Sequence, residues 1–131
     1  MKGLDTNVLV RYLTQDEPSQ ARKATALVEA ATALREKLHL DAVVLCELVW
    51  VLRGAYGFDK ARVVEALEKI LGAAQFSVRD RDLVRQALAA YREGGADFAD
   101  YVLGTRNIAA GCTTTVTFDR ARKRSELFQV V

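Results

Sequence analysis

The chain has 131 residues, a formal net charge of +2, 50% hydrophobic and 27% charged residues, one proline and two cysteines. This excludes a disordered or low-complexity chain and a disulfide scaffold, and it leaves enough apolar surface for a core without staples. The near-neutral balance excludes a globally polyanionic or polycationic binder and directs attention to local charge.

The length fits a single domain over residues 1–131. The opening MKGLDTNVLVRYL carries Asp5 and Asn7 inside its apolar stretch and no small-residue cleavage site comes after it, so it does not read as a secretory signal. The longest nearly apolar run, residues 42–52, is broken by Glu47 and is too short to cross a bilayer. Cys46 and Cys112 show no C-x-x-C spacing and read as reduced core residues of a cytoplasmic protein, with a disulfide between them as the alternative.

In chain order, a short strand ends at Asp5 and Thr6-Asn7 turns into a helix bearing Val8, Leu9, Tyr12 and Leu13. Asp16-Glu17-Pro18-Ser19 stops that helix and restarts another, with Ala21, Ala24, Leu27, Val28, Ala31 and Leu34 at helical spacing. Residues 37–41 form a second strand, residues 43–56 a largely buried helix ended by Gly57. Asp59 caps the next helix, which buries Val63, Val64, Leu67, Ile70 and Leu71 and closes at Gly72. Residues 75–78 are a third strand. Asp80 or Asp82 caps a helix that Gly94-Gly95 breaks. Residues 97–110 are helical and stop at Gly111; residues 113–118, rich in β-branched side chains, and residues 128–131 are strands. Helices separating single short strands imply an α/β fold around a mostly parallel sheet.

Asp5, Glu47, Asp100 and Asp119 lie in or beside the apolar runs GLDTNVLV, AVVLCELVWVL, FADYVL and TVTFD. A buried ionised carboxylate needs a cation, a proton or many donors. Ligand sites in parallel sheets form beyond the carboxyl ends of strands, where strand order reverses. The four acids are therefore expected to gather there around a divalent ion. Hard oxygen donors without histidine or thiolate suit Mg²⁺ or Mn²⁺, and His39 is the only histidine. Such an ion activates water and neutralises a phosphodiester transition state. No Ser-His-acid set and no G-x-x-x-x-G-K-[ST] loop competes. Arg120, Arg122, Lys123 and Arg124 come directly after Asp119, as an RNA-binding patch or a solvated face.

Each acid also has a plain structural reading. Asp5 has helix-capping chemistry, Glu47 has Arg11 or Arg106 as an ion-pair partner, and Asp119 suits the start of a turn. Asp97 and Asp100 share a helical face; Asp97 is the better cap and Asp100 the better ligand.

The segments LDTNVLVRYL (4–13), VLCELVWVL (44–52), GADFADYVLG (95–104) and GCTTTVTFDR (111–120) resemble a PIN-domain ribonuclease of the VapC toxin type. The resemblance implies a three-layer α/β/α sandwich with about five parallel strands and a Mg²⁺- or Mn²⁺-dependent acidic site. It implies that Asp5 and Asp100 are the most direct metal ligands, while Glu47 and Asp119 hold the metal through water or orient the attacking group. Asn7 would brace Asp5, and Thr117 would support the site. It further implies an RNA substrate, a small VapB-like antitoxin of a type II pair, and a homodimer. Tyr12, Leu13, Val49, Trp50 and Leu52 are candidates for an antitoxin groove or dimer face, or for plain core. Tyr101, where the family has small residues, is a departure: it packs outward, or it enters the cleft to narrow substrate access or stack a base.

Two other functions compete. A non-catalytic RNA- or protein-binding module gains nothing from four acids near a phosphate backbone. A phosphotransferase with Asp5 as nucleophile needs a second aspartate where Asn7 stands.

Overall fold

In the computed structural model, which describes residues 1–131, the chain forms two compact units, Met1–Arg79 and Asp80–Val131. The first begins with β1 (Lys2–Gly3), which pairs in parallel with β2 (Leu38–Leu40), Gly3 opposite His39. β2 pairs in parallel with β3 (Phe76–Val78), Leu38 opposite Phe76. The order β1-β2-β3 is that of the sequence. No reversal occurs within this sheet, so the carboxyl end of β1 alone positions the turn into the first helix.

Leu4 donates its N–H to the His39 carbonyl at 2.9 Å, and the chain then leaves the sheet. Four helices lie between the strands: α1 (Thr6–Thr14), α2 (Pro18–Ala33), α3 (Ala42–Gly54) and α4 (Lys60–Gly72). Each starts on an acidic cap. Asp5, Glu17, Asp41 and Asp59 accept backbone N–H groups that the first helical turn leaves unpaired. Asp5 is thus a helix cap rather than the last strand residue. Pro18 sits in the first turn of α2, where its missing N–H costs nothing. α3 ends at Gly54 rather than running to Gly57; Gly57 instead takes φ +65° in the turn that lets Phe58 bond back to Leu52. Leu9, Leu40, Leu45, Leu48, Leu52, Val63, Leu67, Ile70 and Leu71 form the buried core.

The second unit contains α5 (Arg81–Glu93), α6 (Phe98–Ala109), β4 (Thr115–Thr117), a 3-10 turn at Arg120–Arg122 and β5 (Phe128–Val130). β4 and β5 pair in parallel, Thr115 opposite Phe128. Asp80 stands at the start of α5 but in the left-handed region with no side-chain capping bond, so neither expected cap forms there by side chain. Tyr91 packs edge-on against Phe98 and Tyr101, at 5.8 and 6.4 Å between centroids. Gly94 and Gly104 allow close packing: a Cβ at Gly94 would collide with the Tyr101 ring, and one at Gly104 would lie 2.9 Å from Leu127 Cβ.

The α/β alternation and parallel pairing match expectation. The five strands, however, pair as a set of three and a set of two. β4 is also shorter than residues 113–118: it stops at Thr117, and Phe118 is 86% exposed. No helix is long and apolar enough to cross a membrane.

Candidate active site

Asp5 and Glu47 meet in the first unit through Thr6. Asp5 closes the strand-to-helix turn and accepts the Thr6 N–H on Oδ1 at 2.7 Å. The Thr6 hydroxyl donates to Glu47 Oε2 at 2.9 Å. Thr6 itself is buried, so one residue fixes both carboxylates, each by one oxygen. Asp5 Oδ2 and Glu47 Oε1 have no hydrogen-bond partner. Both acids line a cavity of about 500 Å³ with Thr6, Asn7, Val10, Arg11, Val51, Ala55 and Tyr56. The donor to Asp5 is the Thr6 backbone and not the Asn7 amide, whose side chain is exposed.

These acids are less buried than their apolar flanks suggest. Asp5 is exposed and Glu47 half-buried. The cause is helical geometry: on α3, Val43, Glu47 and Trp50 share one outward face, while Leu45, Leu48, Val49 and Leu52 face the core. Glu47 has Thr6 as partner rather than an arginine.

In the second unit, Asp100 and Asp119 converge on Arg122. The guanidinium pairs with Asp100 Oδ2 through Nη2 and with Asp119 Oδ2 through Nη1, and lies 5.5 Å from the Phe128 ring centroid. Asp97 and Asp100 form a reciprocal capping box at the start of α6, the Asp97 N–H donating to Asp100 Oδ2 at 3.2 Å. Asp119 caps the 3-10 turn, taking the Ala121 N–H on Oδ1 at 2.9 Å. Thr117 supports it directly: its hydroxyl oxygen accepts the Asp119 N–H at 3.1 Å. The Ala121 N–H first, and then the positive charge of Arg122, hold the Asp119 carboxyl below the usual aspartate range. Its neighbours, Asp100 before Asp119, push the Arg122 guanidinium still higher.

Of the basic run, Arg120, Lys123 and Arg124 are exposed, whereas Arg122 is turned onto the acids. Tyr101 is buried, packs on Tyr91 over Gly94 and accepts the Ala96 N–H at 3.3 Å, so packing accounts for it. Among the groove candidates, Val49 and Leu52 belong to the core, Tyr12 packs edge-on against Phe76, and Trp50 is 54% exposed. Both cysteines are thiols; Cys112 is exposed rather than core.

The donors in the first unit fit a hard divalent cation. They are carboxylate oxygens with unused lone pairs above an open cavity, and neither histidine nor thiolate lines it. In the second unit Arg122 supplies the positive charge that the two acids require. Neither unit by itself gathers three metal-ligating side chains. Sequence reasoning missed Thr6 and the inward turn of Arg122. The signal for Thr6 was a hydroxyl residue between two helix-start polar residues, at a position that the helix buries.

The PIN domain family model matches residues 3–125, across both units. The chain is also 28% identical over 124 residues to a VapC ribonuclease of Aquifex aeolicus (strain VF5), covering 95% of this chain and 91% of that protein. The order of elements, the aspartate that caps α1 just after β1 and the match over nearly the whole length agree, and the chain belongs to the PIN-domain family.

Proposed function

We propose that this protein is a Mg²⁺- or Mn²⁺-dependent endoribonuclease, the toxin of a type II toxin–antitoxin pair, acting in the cytoplasm. The observation that carries the reading is the Asp5–Glu47 pair, anchored by Thr6 with one free oxygen each over the cavity. Asp5 and Asp100 are assigned as the closest ligands of the ion, Glu47 and Asp119 as the acids that orient water, and Asn7, Asp97 and Thr117 as supports. A divalent ion, when bound, would supply positive charge to the scissile phosphate and acidify water. In this reading Glu47, whose Oε2 is held by Thr6 at the cavity wall, would accept a proton from water as that water attacks phosphorus. The P–O bond to the leaving nucleotide then breaks, and its oxygen takes a proton from solvent. Thr6 keeps both carboxylates in place through the step.

RNA, a small VapB-like antitoxin and a second copy of the chain are the partners this reading carries. The exposed Arg120, Lys123 and Arg124 suit the RNA backbone, with Arg122 joining them once it leaves the acids. Trp50 and Val43, both exposed on α3, are apolar side chains that a protein partner could cover.

A non-catalytic binding module is favoured by one observation: Arg122 balances the charge of Asp100 and Asp119 through two ion pairs. Sequencing the RNA ends produced by purified protein with Mn²⁺, with chelator and with Asp5→Asn separates the two. Defined ends that vanish with chelator and with the variant support the nuclease. RNA retention without new ends sinks it.

A further inference from the structure

We propose that Arg11 clamps a phosphate of single-stranded RNA next to the Asp5–Glu47 cavity, and that a second cavity behind it takes the adjoining nucleotide. The inference rests on the nuclease reading and names the substrate path at its site.

Arg11 lies on α1 and lines two cavities at once, together with Asn7. One is the acid-bearing cavity of about 500 Å³. The other, about 340 Å³, lies between α1 and α2 and is lined by Val8, Gln20, Lys23, Ala24 and Leu27 besides Asn7 and Arg11. Each combines apolar wall with a few polar groups, the usual make-up of a small-ligand site. A base and ribose suit the apolar parts; the backbone suits the guanidinium and Lys23.

The guanidinium is fixed before any ligand arrives. Its Nε donates to Gln20 Oε1 at 2.8 Å, and Nη1 donates to the Tyr56 hydroxyl at 3.0 Å and to Asp16 Oδ1 at 3.3 Å. Tyr56 in turn donates to Asp16 Oδ2 at 2.6 Å, and Thr14 donates to Asp16 Oδ1 at 2.7 Å. Asp16 is therefore committed to two hydroxyls and takes only one edge of Arg11. A structural ion pair would use the fork on both oxygens. Here Nη2 has no partner, and the side chain is 30% exposed. A pre-oriented cation with spare donors, beside acids that keep free oxygens over the same cavity, suits a polyanion spanning the two positions. Separate nucleotide-sized cavities require unpaired bases, which favours a single strand over a duplex.

The test uses full-length Asp5→Asn protein without metal and a short fluorescein-labelled single-stranded RNA of mixed sequence. Anisotropy is read across a salt series. Adding Arg11→Gln is expected to weaken binding about tenfold, the worth of one charge-assisted hydrogen-bonded contact. It should also make the slope of log affinity against log salt shallower by roughly 0.7, one phosphate contact on a single strand. Arg11→Lys should keep the slope and lose several-fold in affinity, since lysine lacks the fork. Unchanged affinity and slope in Arg11→Gln, even with a lowered melting temperature, would make Arg11 a brace and overturn the clamp. Should that variant not fold, Arg11→Lys binding as tightly as its parent overturns it equally. Wild-type protein that binds RNA with the Arg11 dependence but never cuts it overturns the nuclease reading and leaves the clamp. Cleavage with Arg11-independent binding does the reverse.

Discussion

In Met1–Arg79 two carboxylates share a neutral hydroxyl residue, whereas in Asp80–Val131 two carboxylates share a guanidinium. Asp5 and Glu47 remain tolerable because they face solvent and a cavity, so each needs only one donor. Asp100 and Asp119 are brought onto one point, and like charges that close demand a cation between them. The first pair keeps free carboxylate oxygens, whereas the second has its charge balanced by Arg122.

The largest expected effect separates the two pairs by what each loses. Asp5→Asn keeps an acceptor for the Thr6 N–H and Glu47→Gln keeps one for its hydroxyl, so folding should survive. RNA cleavage in Mn²⁺ should fall at least about a hundredfold in either variant, because the charge that would hold the ion is gone. Asp100→Asn should match that loss of activity and also lower the melting temperature, since Arg122 loses a partner. Equal melting temperatures for all three would erase the contrast between the units.

Next comes packing in the second unit. Gly94→Ala sets a Cβ against the buried Tyr101 ring and should destabilise by about 1–3 kcal/mol in denaturant titration, the usual cost of overpacking. Gly95→Ala meets nothing within 4 Å and serves as the control. A neutral Gly94→Ala would mean that Tyr101 moves freely and does not hold the turn before α6.

A smaller effect concerns metal affinity. Arg122→Gln removes the cation from Asp100 and Asp119 and should tighten Mn²⁺ binding several-fold by calorimetry, as direct competition requires. Weaker binding would show that Arg122 braces the acids for the ion instead. The same variant should raise the Asp119 pKa only partway, because the Ala121 N–H, the leading cause of its depression, stays. The depressed Asp119 value contributes stability above the ordinary 3.8, and this is lost as pH falls through the lower folded value.

The smallest effect is in the first unit. The Tyr56 hydroxyl is the main cause of the lowered Asp16 carboxyl, with Thr14 second. Tyr56→Phe should raise that pKa toward 3.8, read by carboxyl-carbon NMR titration. No movement would remove the network that orients Arg11.

Much of the fold is legible in the sequence because local chemistry and final position agree. Asp59 caps a helix whose inner face is Val63, Val64, Leu67, Ile70 and Leu71, as the spacing requires. Gly94-Gly95 and Gly111 end helices where no side chain is needed. The 3-10 turn is not legible, because Arg120–Arg122 has neither period nor apolar face. Glu47 reads as deeper than it is, because an apolar run in the sequence does not say which side of α3 faces outward. Arg122 groups with its neighbours in sequence because charge is visible there but direction is not.

The amino-acid sequence by itself determined which segments are helices and which are short strands, where most of the helix caps fall, and which carboxylates are unusual for their surroundings. These features arise from capping, periodicity and side-chain chemistry within a few residues. Only the tertiary structure decided that Thr6 joins Asp5 to Glu47 across 41 positions, that Tyr56 and Asp16 aim Arg11, and that Arg122 folds back onto Asp100 and Asp119. Those are choices of direction by side chains distant in the chain, and a hydrogen bond or ion pair fixes direction only once packing has brought its two ends together.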